Sequence, residues 1–371
     1  MEPSPEFDLL IACCRWPPSP LGDARVTAAA EAASLDWDSA LAAAARHRVE
    51  GFVHTALRRT GVEPPARVAE CLAQQASGIV HKNLSFAAAA LKLSERLSEA
   101  GIEHLFVKGV TLNLLAYGTL ALKRSCDIDV LVPPEDYEAA FDLLEDTGYR
   151  CFHPPGADKA GILRYAASYK DSAWRSGDGR TKLELHQRLC VNPALLPGVG
   201  ARSPSVAVEV APGVILRTLA RDELFAYLCT HGALTAWSRL KWLADLAALI
   251  ADEDEAGVER LYRRSVQLAP RRAVAQALLL ANRLFDTPLS GPLVAELRGD
   301  RVNRFLEREA LQVMAGGGAR ELDEQKLASA RLNLTVLMLE PGWRYKAAEI
   351  GRKLPRIPAA LRSAIGGARA R

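Results

Sequence analysis

The chain has 371 residues, of which 49% are hydrophobic and 25% are charged, and its formal net charge is +3. This length predicts two or three domains of ordinary globular composition. A nearly neutral chain disfavours extensive nucleic-acid binding, which requires many contacts between phosphates and Lys or Arg side chains. No apolar run reaches the roughly 20 residues that a transmembrane helix needs, so we expect no membrane contact.

The cellular location follows from two features of the sequence. The first residues, MEPSPEFDLL, are acidic and lack the basic start and long apolar core of a secretory signal. The seven cysteines are an odd number and form no CxxC pair. Both features predict reduced thiols in a cytoplasmic protein, without a disulfide framework or a zinc site.

Residues 1–101 have the pattern of a helical region. Apolar residues keep helical spacing over 23–60, where Asp36 or Asp38 is a candidate N-cap. After a Pro-Pro break, residues 66–100 contain no proline and keep one apolar face, which predicts a single long helix.

The central region, 102–217, alternates between short strand and helix patterns and predicts a small mixed β-sheet with two helices. A Gly turn joins the first strand to the first helix, and a Pro-Pro pair begins the second helix. The predicted strands are Ile102–Val107, Asp127–Val132, Tyr149–Phe152, Leu163–Trp174, Lys182–Leu189, Val206–Glu209 and Val214–Leu216, and the helices are Thr111–Tyr117 and 133–147.

The region 218–353 is again predicted to be helical, and 354–371 is a basic tail that we interpret as a solvated end. The predicted fold class is therefore α+β, with a small mixed sheet flanked by N-terminal and C-terminal helical regions. Candidate helices in the C-terminal region are 220–234, 237–251, 255–268, 271–285, 301–314 and 323–339.

Two acidic residues begin the second predicted strand. Asp127 and Asp129 are two apart, and side chains at that spacing point to the same face of a strand. Two adjacent carboxylates repel each other unless a cation lies between them, and a divalent metal ion is the simplest such cation. The alternative is a strand end with two solvated acids.

Basic and glycine residues precede the two aspartates. Gly109 of the Lys108-Gly109 turn allows backbone N–H groups to approach an anion at a helix N-terminus, which suits a phosphate. Lys123, Arg124 and Ser125 add cations and a hydroxyl that suit a polyphosphate. The alternatives are an ordinary strand-to-helix turn and simple charge balancing of the acids.

A third carboxylate comes from the segment KLELH. Lys182, Glu184 and His186 share one face of this predicted strand, and the leucines share the other. Glu184 joins the same metal site if this strand lies beside the aspartate strand. The alternative is an edge strand with its polar side chains outward.

These motifs occur together between about residues 36 and 250. They are the lead-in WDSALAAAARHRVEGFVHTALRRTG, the turn GIEHLFVKGVTLNLLAYG, and the segments RSCDIDVLVPPEDYEAAFDLLEDTGY, LELHQRL and HGALTAWSRLKWLADLAALI. In combination they resemble the uncharacterised bacterial nucleotidyltransferase family of the polymerase β-like nucleotidyltransferase superfamily. The superfamily's Gly-Ser or Gly-Gly turn is here Lys108-Gly109, and the gap to Asp127 is longer than in compact members.

The resemblance implies a Mg²⁺-dependent enzyme, with Mn²⁺ as a possible substitute. Asp127 and Asp129 would hold one or two metal ions against the triphosphate of an NTP such as ATP, and Glu184 would complete the second site or act as a base. The enzyme would transfer a nucleoside monophosphate to a small molecule, a peptide or a protein and release pyrophosphate.

The C-terminal region adds further candidates for nucleotide binding. By the same resemblance, Arg239 or Lys241 could contact phosphate and Trp237 could stack on a base. Lys241 and Asp245 are four apart on a helix and can pair. The alternative is that this segment is core with solvated charges, and His186 and His231 are interpreted as structural histidines.

Two other functions remain open from the sequence. One is a non-catalytic nucleotide-binding or regulatory module on the same fold. The other is an antitoxin-like nucleotidyltransferase that modifies a partner protein or tRNA.

Overall fold

The computed structural model describes residues 4–316 and 326–353, so the predicted basic tail lies outside the described residues. Helices dominate both ends of the chain, and a five-stranded sheet lies between them. The helices are α1 (Pro5–Cys13), α2 (Pro20–Ala30), α3 (Trp37–His47), α4 (Glu50–Thr60), α5 (Ala66–Glu99), α6 (Val110–Tyr117), α7 (Tyr137–Asp146), α8 (Lys159–Ser168), α9 (Arg221–Leu234), α10 (Leu240–Leu249), α11 (Glu255–Ser265), α12 (Arg271–Phe285), α13 (Gly291–Gly299), α14 (Arg301–Ala315), α15 (Lys326–Met338) and α16 (Trp343–Lys353).

The strands form one mixed sheet and one separate hairpin. The sheet has the order β1-β2-β5-β4-β3; β2 and β5 are parallel, and every other neighbouring pair is antiparallel. Strands β6 and β7 pair only with each other among the described residues. This arrangement confirms the predicted α+β class. The strands are β1 (Leu105–Phe106), β2 (Ile128–Leu131), β3 (Arg150–His153), β4 (Asp171–Arg175), β5 (Lys182–His186), β6 (Ser205–Ala211) and β7 (Val214–Leu219).

The N-terminal helices agree with the sequence pattern. The side chain of Asp36 caps α3 by accepting hydrogen bonds from the N–H groups of Asp38 and Ser39. Gly61 ends α4 in the left-handed conformation. The long helix α5 covers 34 residues without interruption, as predicted.

One predicted strand is largely wrong. The prediction over Leu163–Trp174 placed a strand where the structure has α8, and only Asp171–Arg175 is strand. Asp158 caps α8 by accepting from the N–H of Gly161 at 2.8 Å. Ile162 and Ala166 are both buried and four residues apart, which is helical spacing. The helix α13 was also missed, although Ser290 provides an ordinary N-cap.

One face of the sheet carries an apolar core. Ile128 and Val130 of β2 pack into the same cluster as Phe86 of α5 and Phe141 of α7. Phe141 also meets Trp174 edge-on, with ring centroids 4.8 Å apart. Each large buried side chain here contributes about 1.5–3 kcal/mol. Because strand residues alternate, Asp129 of β2 and the polar residues of β5 lie on the other face, where Leu131 at the end of β2 packs into a second core.

A second, larger core joins the N-terminal helices to the C-terminal helices. Leu10 of α1 and Phe52 of α4 share this cluster with Leu243 of α10 and Leu278 of α12. Residues on both sides of the predicted boundaries at 101 and 217 therefore contribute to the same core. The division of the chain into domains stays a prediction. No helix in residues 4–316 or 326–353 combines the length and apolarity needed to cross a bilayer.

A buried histidine fastens the end of α3 to α10. His47 is 1% exposed, and its Nδ1 accepts a hydrogen bond from the backbone N–H of Leu240 at 3.0 Å. Burial, with added repulsion from Arg46 and Arg239, lowers the pKa of His47 from 6.5 to about 3. The neutral imidazole is therefore the form that supports the native structure.

We expect acid to destabilise the protein through His47. The unfolded chain takes up a proton near pH 6.5 and the folded chain only near pH 3, so this contribution is complete above pH 6.5 and falls between those values. Between pH 7.5 and 4.5 the loss is about 3 kcal/mol, measurable by urea unfolding at both pH values. His47→Asn keeps an acceptor but does not titrate, so its pH dependence should be shallower by this amount. Equal pH slopes in the two proteins would contradict the assignment.

Candidate active site

Strand pairing places two of the predicted carboxylates side by side. In the parallel register of β2 and β5, Asp129 lies opposite Glu184. Leu183 and Leu185 pack in the apolar core on one face, so Lys182, Glu184 and His186 lie on the other. The structure thus places the KLELH strand beside the aspartate strand, which was the condition for Glu184 to join the site.

The closest group of possible metal ligands is Asp129, Glu184 and His186. One ligand atom from each lies within 4.8 Å of the others, and no other such group of three occurs in the described parts of the chain. Nε2 of His186 is 3.1 Å from Oδ1 of Asp129 and 3.6 Å from Oε2 of Glu184. The sequence reasoning assigned His186 a structural role and therefore missed its position in this group.

Asp127 is connected to the group through a lysine. It precedes β2, and its Oδ2 is 3.3 Å from Nζ of Lys182, which is also 2.8 Å from Oε1 of Glu184. The ammonium group of Lys182 therefore lies between two carboxylates, where a cation is favoured. The Lys182 side chain is 37% exposed, so it can leave this position without crossing packed core.

Lys108 neutralises the most buried carboxylate. Its Nζ is 3.2 Å from Oδ1 of Asp129 and 5.7 Å from the ring centroid of Tyr227 on α9. Burial alone raises the pKa of Asp129, but Lys108 and His186 outweigh it and hold that pKa well below its usual range. Burial and repulsion from Asp129 and Glu184 raise the pKa of Asp127. Asp129 is therefore the more readily ionised of the two aspartates.

The far nitrogen of His186 lies near a further carboxylate, that of Asp171. Nδ1 of His186 is 3.5 Å from Oδ2 of Asp171 on the neighbouring strand β4, and Asp171 is held by Lys170 at 2.6 Å. Nδ1 of His186 makes no hydrogen bond to any described residue, so Asp171 is a neighbour of the imidazole and does not fix its orientation. Lys170 and Asp171 were not predicted, because their place depends on the pairing of β4 with β5.

The predicted Lys108-Gly109 turn lies at the same place. Gly109 has φ +62°, begins α6, and a Cβ there would lie 3.4 Å from the carbonyl oxygen of Asp127. The hydroxyl of Thr111 braces the turn by donating to the carbonyl of Phe106 at 2.8 Å. The turn therefore adjoins the aspartates, while the Lys108 side chain is engaged by Asp129.

The other residues predicted to contact the nucleotide lie in the loop before Asp127 or in α10. Arg124 pairs with the buried Glu50 of α4 at 3.1 Å. The backbone N–H of Ser125 donates to Oδ1 of Asn83 at 3.0 Å, and the buried Ser125 hydroxyl has no hydrogen-bond partner among the described residues. Lys241 is 8% exposed and faces Cys126.

Three side chains of the C-terminal region that the sequence singled out have partners that the sequence did not predict. Trp237 is fully buried and its Nε1 donates to Gln276 at 3.3 Å, so it is core and cannot stack on a base. Arg239 donates to the carbonyl of Arg46 at 2.5 Å and so ties α3 to α10. The ion-pair partner of Asp245 is Lys123, at 2.8 Å, in place of the predicted Lys241.

A family comparison agrees with this geometry. The model of a family described as an uncharacterised nucleotidyltransferase matches residues 33–286, which is more than half of the chain. The chain belongs to this family. The match confirms the resemblance found in the motifs and runs from the start of α3 to the end of α12. No curated protein matches the chain.

The donor set of this family member fits a divalent cation. Carboxylate oxygens suit Mg²⁺ and Mn²⁺, and the imidazole of His186 adds a donor that Mn²⁺ accepts more readily than Mg²⁺ does. The buried position of Asp129 and His186 would shield a bound ion from water on one side. The exposed side, toward Lys182, is where a substrate would enter.

Proposed function

We propose that this protein is a metal-dependent nucleotidyltransferase that transfers a nucleoside monophosphate from an NTP to an acceptor and releases pyrophosphate. The observation that carries the proposal is the register that places Asp129 beside Glu184 in a chain of a nucleotidyltransferase family. Mg²⁺ or Mn²⁺ is the proposed cofactor, and ATP is one candidate donor. The cytoplasm, where NTPs are abundant, is the proposed location.

Each residue of the face has a proposed role. Asp129, Glu184 and His186 would hold the cation, and Asp127 is a further candidate ligand. A bound divalent cation supplies charge neutralisation to phosphate oxygens. The turn at Gly109 lets backbone N–H groups approach the phosphates. Positioning and charge neutralisation of this kind supply most of the catalysis in phosphoryl chemistry.

The bond changes define the reaction. An acceptor oxygen or nitrogen forms a bond to the α-phosphorus, and the bond from that phosphorus to the bridging oxygen breaks. Pyrophosphate leaves with the electron pair of the broken bond. Glu184, which is more exposed than Asp129, is the candidate to take the acceptor proton. A small molecule, a peptide or a protein are the proposed classes of acceptor.

One observation favours a second candidate, a nucleotide-binding module without turnover. Four carboxylates on this face, from Asp127, Asp129, Asp171 and Glu184, meet three ammonium groups, from Lys108, Lys170 and Lys182. The difference, four minus three, leaves a single negative charge. A face with one net negative charge attracts a divalent cation strongly only after one of its lysines has moved away. A protein that binds nucleotide without turnover would not need this movement.

Labelled nucleotides separate the two candidates. The protein is incubated with Mn²⁺ or Mg²⁺, a cell lysate as the source of acceptors, and an NTP labelled at the α- or the γ-phosphate. We expect label to be transferred from the α position only, with release of pyrophosphate. Transfer from the γ position would identify a phosphotransferase and contradict the proposal. NTP binding without any transfer would favour the binding module.

A further inference from the structure

A cavity of about 650 Å³ lies at the His186 end of β5. Its described lining comes from four places: the end of α8 with Lys170, the segment after β5, the end of α9, and the helices α15 and α16. Cavities that bind small organic ligands commonly measure about 300–1,000 Å³. The volume therefore suits one small molecule. We call this space the helical cavity.

Lys170 connects the helical cavity to the candidate metal ligands. The backbone N–H of Gln187 donates to the carbonyl of Lys170 at 3.0 Å, which holds Lys170 against the end of β5. Its Nζ is 2.6 Å from Oδ2 of Asp171, and that oxygen is 3.5 Å from Nδ1 of His186. Since His186 also contacts Asp129, the side chains of Lys170 and Asp171 are all that this path places between the cavity and the group of possible metal ligands.

His231 of α9 lines the same cavity, and its ring nitrogens have no hydrogen-bond partner among the described residues. The half-buried imidazole lies against two aromatic rings, with its centroid 5.9 Å from that of Tyr227 and 5.2 Å from that of Trp242. Desolvation, with repulsion from Lys108 and Lys170, lowers the pKa of His231 well below its usual range, so the imidazole is neutral at pH 7. A neutral imidazole offers one N–H donor and one nitrogen acceptor, and a hydroxyl group can bond to either.

The other charged groups of the described lining are already paired. Arg352 forms an ion pair with Glu349 of α16, and the amide of Asn192 donates to the same carboxylate at 3.3 Å. Lys170 is paired with Asp171. Apolar side chains from three parts of the chain line the space between these groups, among them Leu195, Leu234, Leu332 and Val336. An uncharged molecule with an apolar body suits this lining, whereas an anion would meet cations that already have partners.

The helices that close the cavity lie outside residues 33–286, the range of the family match. Arg272 of α12 donates to the carbonyl of Met338 at 3.0 Å, which fixes the end of α15. The hydroxyl of Tyr345 donates to the carbonyl of Val336 at 2.7 Å and ties α16 to α15. The carboxylate face and the closing wall of the cavity therefore come from different parts of the chain.

We propose that the helical cavity binds the acceptor, and that the acceptor is a small uncharged molecule with an apolar body and a hydroxyl group that hydrogen-bonds to His231. The assignment as acceptor rests on the proposed function, whereas binding in the cavity does not require turnover. In the transfer, the hydroxyl oxygen bonds to the α-phosphorus and its proton passes to Glu184. Pyrophosphate leaves with the electron pair of the broken bond. A small molecule is thereby favoured over a peptide or a protein.

Three probes with the same ring system test the cavity without turnover. 2-Naphthol has the proposed hydroxyl, naphthalene lacks it, and 2-naphthoate carries a negative charge in its place. Fluorescence titration of the full chain at pH 7.5 measures their binding, and we expect 2-naphthol to bind most tightly. His231→Phe keeps an aromatic ring against Tyr227 and Trp242. It should weaken 2-naphthol binding about two- to tenfold, the effect of one neutral hydrogen bond, and leave naphthalene binding unchanged.

A filled cavity provides the second test. Leu332 is a half-buried lining residue, so the indole of Leu332→Trp should occupy the space of the probes and weaken 2-naphthol and naphthalene binding at least about tenfold. Leu334→Trp is the matched control, because Leu334 lies on the same helix, is 44% exposed and is outside the lining, and it should bind like the parent. Failure of the parent to bind 2-naphthol, tightest binding of 2-naphthoate, or parental binding by folded Leu332→Trp would each overturn the proposal.

The transfer assay tests whether the cavity is the acceptor site. After incubation with α-labelled NTP, the lysate is separated into small molecules and macromolecules. We expect new labelled products among the small molecules, lost with Leu332→Trp and kept with Leu334→Trp. Label on proteins or RNA alone would overturn the proposal while supporting nucleotidyl transfer. Absence of label from every fraction would contradict the proposed function, and the 2-naphthol titration would then decide by itself whether the cavity binds an uncharged hydroxyl compound.

Discussion

Replacing Asp129 by Asn should reduce metal-dependent nucleotidyl transfer at least about 100-fold, the effect of removing one central electrostatic contact from an active site. Asp129 is 3% exposed and contacts both Lys108 and His186. Its depressed pKa keeps it ionised over the working range of pH. Asn preserves the shape of the side chain but removes the charge that would hold a cation. The initial rate of α-label transfer at several Mn²⁺ concentrations measures the effect.

Controls for this prediction use two other carboxylates. Asp142→Asn changes an exposed acid of α7 that pairs with Lys159, and it should leave the rate unchanged. Asp129→Asn leaves Lys108 without its partner. If the variant is unstable for this reason, Glu184→Gln provides a second test of the carboxylates. Glu184 is partly exposed and already pairs with the exposed Lys182, so this variant should fold. Full metal-dependent activity in both Asp129→Asn and Glu184→Gln would show that these carboxylates take no part in the reaction.

The alternation of strand residues is what made Asp129 and Glu184 predictable. Each lies in a short segment where apolar and polar residues alternate, so the polar face could be read locally. The pairing of the two segments could only be stated as a condition, because their residues are more than 50 positions apart. The structure supplies the register that places one opposite the other.

Other contacts of the site depend on tertiary packing that no local pattern encodes. His186 meets Asp171 only because β4 pairs with β5 in one register, and the segment before β4 was misread as a strand. Arg48 reaches Cys126 across 78 positions, because α4 packs against the loop between α6 and β2. Gly51 of α4 allows this approach, since a Cβ there would lie 2.3 Å from the carbonyl oxygen of Leu122. In a single sequence, Gly51 is an ordinary glycine.

Asp245→Asn should lower the free energy of unfolding by about 3–5 kcal/mol, the effect of breaking a buried ion pair on one side only. The side chains of Lys123 and Asp245 are 5% and 3% exposed, and the hydroxyl of Tyr117 donates to the same carboxylate at 3.0 Å. The variant leaves the Lys123 ammonium buried without a counter-charge. The double variant Lys123→Met with Asp245→Asn should recover part of the loss, because no unpaired charge remains. Urea unfolding at pH 7.5 measures all three proteins.

The same variant tests whether this ion pair also positions the loop that precedes the two aspartates. Lys123 is next to Arg124 in this loop, which Glu50 of α4 and Asn83 hold in place, so loosening the Lys123 side chain should let the loop shift. We therefore expect Asp245→Asn to slow metal-dependent nucleotidyl transfer under conditions where the protein is still folded. A loss of stability below about 1 kcal/mol would show that the pair is worth no more than a surface ion pair. Unchanged transfer in a strongly destabilised variant would instead show that Asn83 holds the loop without help from Asp245.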